Sequence, residues 1–159
     1  MKFIFSLIFI IWSVEGHANP VAFAQKHIGQ SMLDNYLRKP LTQVIKLIEG
    51  IPENKKKIMG RSFLLNLYGH NFDTTIVHDG HEVISFTRVF YEEENAAGLY
   101  KEIEKMGKKE FKRTVIPGGA MPGSFYDYDF KSRGVFFRFD VNKKIQIITI
   151  KKITRAVKT

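Results

Sequence analysis

From Asn19 onward, apolar residues recur with a period that changes along the chain. Val21, Ala24, Ile28, Met32 and Tyr36 follow one another at three- and four-residue spacing, and Phe23, Leu33 and Leu37 widen the stripe. This pattern predicts an amphipathic helix. Asn19 suits its cap, Pro20 suits its first helical position, and Pro40 ends it. A second short helix puts Leu41, Val44, Ile45 and Ile48 on one face and closes at Gly50 and Pro52. Asn54 to Lys57 reads as a basic surface stretch. Arg61 to Tyr68 fits either a strand, with Phe63, Leu65 and Leu67 alternating, or a buried helical turn.

The period then shifts toward two. His78-Asp79-Gly80-His81 has the signature of a two-residue hairpin loop. Counting back from it pairs Ile76 with Val83, Thr74 with Ser85 and Phe72 with Thr87. Glu92 to Lys109 predicts a third helix, acidic at its start and basic at its end, buried along Ala96, Leu99, Tyr100, Ile103 and Met106. Phe111 to Ile116 reads as an edge strand, and Pro117 to Gly123 as a loop. In the last third, Tyr126, Tyr128 and Phe130 pair with Phe139, Phe137 and Val135 across a turn at Ser132-Arg133. A second turn at Asn142-Lys143 adds Ile148 and Ile150 to the same face. The opposite face then carries Phe125, Asp127, Asp129, Phe136, Arg138, Asp140, Ile145, Ile147 and Thr149.

These elements predict an α+β domain: N-terminal helices and one central helix packed on a curved, mostly antiparallel sheet of about five strands, ending in a three-strand meander. The first eighteen residues stand apart. Lys2 precedes the nearly unbroken apolar run Phe3 to Val14, and the small residues Gly16 and Ala18 stand three before and one before a cleavage point after Ala18. That is the layout of a secretory signal peptide over residues 1–18, leaving 19–159 as a single domain. A retained anchor is the competing reading, but the run falls short of the roughly 20 residues that a spanning helix needs. The chain is therefore expected to be exported, to the periplasm or the exterior of a bacterium.

Composition narrows the chemistry. The 159 residues include no cysteine, which excludes disulfides, thiolate metal sites and thiol nucleophiles. Lys and Arg outnumber Asp and Glu by 25 to 16, a net charge of +9. The charge is concentrated at the end: Lys143, Lys144, Lys151, Lys152, Arg155 and Lys158 occur after Val141 with no acid among them. Such a tail suits an acidic protein or an anionic lipid. Nucleic acid is a poor fit, because no nucleic-acid-binding motif accompanies the charge.

Three constellations are candidates for function. The mixed meander face offers Phe125, Asp127, Asp129, Phe136, Arg138 and Asp140, joined by Lys151, Lys152 and Arg155, as a protein-binding surface; the register puts Asp127 opposite Arg138. His78 and His81, expected directly across the hairpin, offer half a metal site or, with Glu82, the acid–base groups of a secreted hydrolase acting on nucleic acid. Tyr100, Met121, Phe130 and Phe137 are candidates to line a cavity between helix and sheet in a carrier of lipid or a small apolar ligand. The glycines of 117–123 lack a phosphate-loop pattern, and neither a GxSxG elbow nor HExxH is present. Nothing in the pattern calls for a cofactor. The leading expectation is a non-catalytic exported domain that binds another envelope or exported protein, of which a periplasmic inhibitor or immunity-type protein is one form.

Overall fold

Asn19 opens the domain as expected: its side-chain oxygen accepts a hydrogen bond from the Val21 amide at 3.0 Å, with Pro20 in the first helical position. A computed structural model describes residues 19–37, 39–91, 97–106, 112–116 and 125–153. The expected signal peptide and the 117–123 loop lie outside them. Among the described residues no helix is long and apolar enough to cross a membrane.

The single N-terminal helix of the sequence reading is two: α1 (Pro20–Ile28) and α2 (Gln30–Tyr36). Gly29 separates them with φ 94° and ψ 125°, a conformation that side-chain-bearing residues rarely adopt. The break shifts the phase of the stripe, so the residue buried after Ile28 is Leu33, and Met32 is only partly covered. Helix α3 (Leu41–Glu49) buries Leu41, Val44 and Ile48, while Ile45 stays exposed.

The strands are β1 (Lys56–Met59), β2 (Ser62–Leu65), β3 (Thr74–His78), β4 (Val83–Val89), β5 (Lys112–Ile116), β6 (Phe125–Phe130), β7 (Val135–Phe139) and β8 (Ile145–Lys151), with α4 (Ala97–Lys105) between β4 and β5. The expectation of a curved sheet of about five strands is corrected to one eight-stranded sheet, in the order β1-β2-β3-β4-β8-β7-β6-β5. Three features account for the difference, the first being β5, which pairs antiparallel with β6 at one end of the order. The basic stretch and the ambiguous segment form their own hairpin, with Ile58 opposite Phe63. Strand β8 pairs antiparallel with β4, Phe86 opposite Ile150, which fuses the hairpin and the meander.

The meander register is the expected one: Tyr126, Tyr128 and Phe130 lie opposite Phe139, Phe137 and Val135, and Phe137 lies opposite Ile148. The first connection is a short 3-10 turn, Lys131–Arg133, closed by Gly134 in the left-handed region. A bulge between Arg138 and Phe139 sets Ile145 opposite Phe139. It carries Ile145, expected on the mixed face, into the core, where it is 1% exposed.

All four helices share one apolar cluster with a single face of the sheet. Tyr36 meets Phe86 at 6.0 Å between ring centroids, and Tyr100 meets Tyr126, Tyr128 and Phe139 at 5.8, 5.9 and 5.3 Å. The result is a two-layer α+β domain whose other sheet face carries none of the described helices.

Candidate functional site

The helix-free face is built from the side chains that alternate away from the core. Across the middle of the sheet the pairings set Leu64, Thr75, Thr87, Thr149, Phe136 and Asp129 in one row. Thr87 and Thr149 join through their hydroxyls at 2.9 Å. The next row holds Val89, Ile147, Arg138 and Asp127. The charged members of these two rows, Asp129, Asp127 and Arg138, gather on β6 and β7, and the β3, β4 and β8 members are uncharged.

Its charged centre is the Asp127–Arg138 pair. Arg138 Nε donates to one carboxylate oxygen of Asp127 and the terminal NH2 group to the other, both at 2.7 Å. This two-point fork is the strongest geometry open to the pair, and hydrogen bonding to Asp127 raises the Arg138 pKa. The Asp127 side chain is 10% exposed and that of Arg138 27%. Asp127 therefore does not present a free contact group, as its place among the binding residues implied; both its oxygens are spent in holding Arg138. The guanidinium lies 5.3 Å from the ring centre of Phe125 and 5.8 Å from that of Phe136, both half-buried.

The remaining surface candidates separate. Asp129 lies half-buried on the same face. Asp140 is a turn group: one of its oxygens accepts the amides of Asn142 at 2.8 Å and Lys144 at 2.9 Å. Lys151 is exposed, opposite Ser85 at the rim of the face. Lys152 instead pairs with Glu82. Arg155 lies outside the described residues.

The histidine hairpin is corrected. His78 lies opposite Val83, not His81, and a bulge follows Val77, so Ile76 faces Phe86 and Val77 faces Ser85. The cause is Asp79, whose carboxylate accepts the amides of His81 at 2.8 Å and Glu82 at 3.0 Å, making the loop four residues long. Those two hydrogen bonds hold the Asp79 carboxyl below its usual range. His78 stacks on Phe63 at 5.1 Å, and its Nδ1 accepts the Gly80 amide at 3.1 Å. His81 and Glu82 line a groove of about 820 Å³ with Leu37, Lys39, Pro40, Asp79 and Lys152. Among the described residues, no group of three or more His, Asp or Glu is placed to hold a metal ion. The imidazoles thus do not act as a facing pair, and Glu82 is engaged by Lys152.

Of the ligand-cavity candidates, Tyr100, Phe130 and Phe137 are core side chains at 2%, 0% and 0% exposure. Phe130 and Phe137 meet edge to face at 6.1 Å. Met121 lies outside the described residues.

Sequence reasoning missed one polar cluster. Asp73, fully buried, accepts hydrogen bonds from the amides of Leu67, Tyr68 and His70 at 2.9, 2.8 and 3.0 Å and from the Thr74 hydroxyl at 2.9 Å. Beside it, the Arg88 guanidinium is sandwiched between the rings of Tyr68 at 4.0 Å and Phe90 at 4.2 Å and donates to the His27 carbonyl. The Tyr68 hydroxyl donates to the Ile28 carbonyl at 2.6 Å. The cluster fastens the end of α1 to the sheet. The only signal for it in the sequence was an acid directly before a β-branched run.

The chain matches no known family, no curated protein and no solved structure.

Proposed function

We propose that this chain is an exported, non-catalytic protein-binding domain that meets its partner with the helix-free face of the sheet. The observation that carries the reading is the Arg138 guanidinium, fixed by two 2.7 Å hydrogen bonds to a buried carboxylate and flanked by the half-buried rings of Phe125 and Phe136. Arg and aromatic side chains are enriched at the centres of protein interfaces and dominate their binding energy. A guanidinium already held in one rotamer loses little further freedom on binding. The uncharged stretch Thr75, Thr87, Thr149 and Phe136 of the neighbouring row desolvates at low cost.

Export rests on Lys2, the apolar run Phe3 to Val14 and the small residues Gly16 and Ala18. The partner is then another envelope or exported protein, and an inhibitor or immunity-type role is a concrete form. The basic end of the chain, Lys151 and Arg155 included, steers an acidic partner toward the face. Anionic lipid is the lesser candidate for that charge.

The test is capture from the native envelope at moderate salt, comparing the natural chain with a Phe125→Ser/Phe136→Ser variant of unchanged thermal stability. The reading expects one partner retained by the natural chain and lost by the variant. Equal retention by both, or no partner for either, contradicts it.

A further inference from the structure

A second binding surface lies at the far end of the same sheet. Strand β1 closes the eight-stranded order, so one of its edges pairs with β2 and the other carries no strand among the described residues. The Asn66 amide donates to the Lys55 carbonyl at 3.0 Å, which fixes which groups point inward. Because antiparallel ladders alternate, the backbone groups of Lys56 and Ile58 point outward; the Lys56 N–H is taken by the Glu53 carbonyl, which leaves the Ile58 N–H and the carbonyls of both residues to an added strand.

Folded proteins protect such edges with charges, proline, bulges or a covering segment. Here one of the two lysines of β1 is turned away. The Lys56 amine is drawn back to Glu53 Oε1 at 2.8 Å and the Glu49 carbonyl at 3.2 Å, leaving its side chain 9% exposed. Ile58 and Met59, on opposite faces of the strand, are 61% and 53% exposed. An added strand would cover both with its own alternating side chains.

Charge selects the occupant. Between Asn54 and Arg61 there are four basic residues and no acid, and Lys55, Lys57 and Arg61 are exposed. Pairing β1 with β1 of a second copy would join two chains of charge +9 along their lysine-bearing strands, which like-charge repulsion opposes. We propose that the free edge of β1 accepts an extended segment of another protein, alternating acidic and apolar residues, as a ninth strand. This inference is independent of the proposed partner site, since it uses neither Arg138 nor Phe125 nor Phe136.

The experiment titrates the full domain with a capped peptide of alternating glutamate and valine, about six residues long to match one strand, up to millimolar concentration. A lysine–valine peptide serves as control, and backbone amide spectra report the site. The expected result is perturbation centred on Lys56 to Met59, with slowed exchange of the Ile58 amide, and none with the control. Ile58→Pro removes one outward donor without touching the β2 ladder, so binding should weaken about fivefold to tenfold, as the loss of one backbone hydrogen bond implies. Lys57→Glu should weaken the glutamate peptide and admit the lysine one, which keeps the test decisive if the proline variant does not fold. Perturbation elsewhere, no perturbation, equal binding of both peptides by the natural domain, or a dimer that Ile58→Pro abolishes would each overturn the proposal.

Discussion

Two buried aspartates show how differently one residue type works in this domain. Asp127 holds a side chain in place, and Asp73 holds a backbone. Because four donors converge on the two oxygens of Asp73, Asp73→Asn sets an NH2 group against donors on one side. It should cost about 2–3 kcal/mol, read from chemical denaturation. Tyr68, next in that cluster, supplies a pH signature. Burial pushes its phenol up to about 12 against the opposing pull of Arg88. The neutral form is therefore the one the fold prefers. Its contribution is intact below pH 10, the ordinary phenol value, and is lost as pH rises through about 12. Tyrosinate absorbance should accordingly show a late-ionising component that loses the Tyr68 contribution in Tyr68→Phe and keeps that of Tyr36, which burial also raises; an unchanged titration would contradict this. The Asp127–Arg138 pair was legible in the sequence because a two-residue period and a tight connection leave one register. Asp73 was not, because its partners are amides in an irregular loop that no periodicity describes.

Among the elements, the meander was readable for the same reason, and the departures from expectation each trace to a few atoms. One glycine split the first helix, and one carboxylate lengthened the His78 hairpin loop. A bulge moved Ile145 between faces. None of these alters composition or period enough to be seen beforehand. Gly134 is the sharpest local requirement. Its φ is 65°, and a Cβ there would stand 2.5 Å from the Lys151 carbonyl oxygen, the neighbour whose amide donates to Gly134 O at 2.7 Å. Gly134→Ala should destabilise by about 2 kcal/mol or more, the left-handed penalty of roughly 1–2 kcal/mol with a backbone clash added. Calorimetric unfolding measures it; a neutral outcome would mean the β6–β7 connection is built otherwise.

At the scale of the whole molecule, fold class was legible and sheet size was not. The β4–β8 pairing joins segments some sixty residues apart, and no local pattern encodes it. It sets the threonines of β4 and β8 beside Phe136 and Arg138, turning two small sheets into one broad face with the described helices on one side only. The histidine candidates lost their facing geometry by local chemistry, while the meander face gained extent by a long-range contact.

That face is the centre of the account, and site-specific photo-crosslinking in the native cells tests it most directly. A photoreactive phenylalanine analogue in place of Phe136 should give one discrete adduct with an exported protein, whereas the same analogue in place of exposed Thr42 on α3 should give none. No adduct from position 136, or the same adducts from both positions, would contradict a protein-binding role for the helix-free side of the sheet.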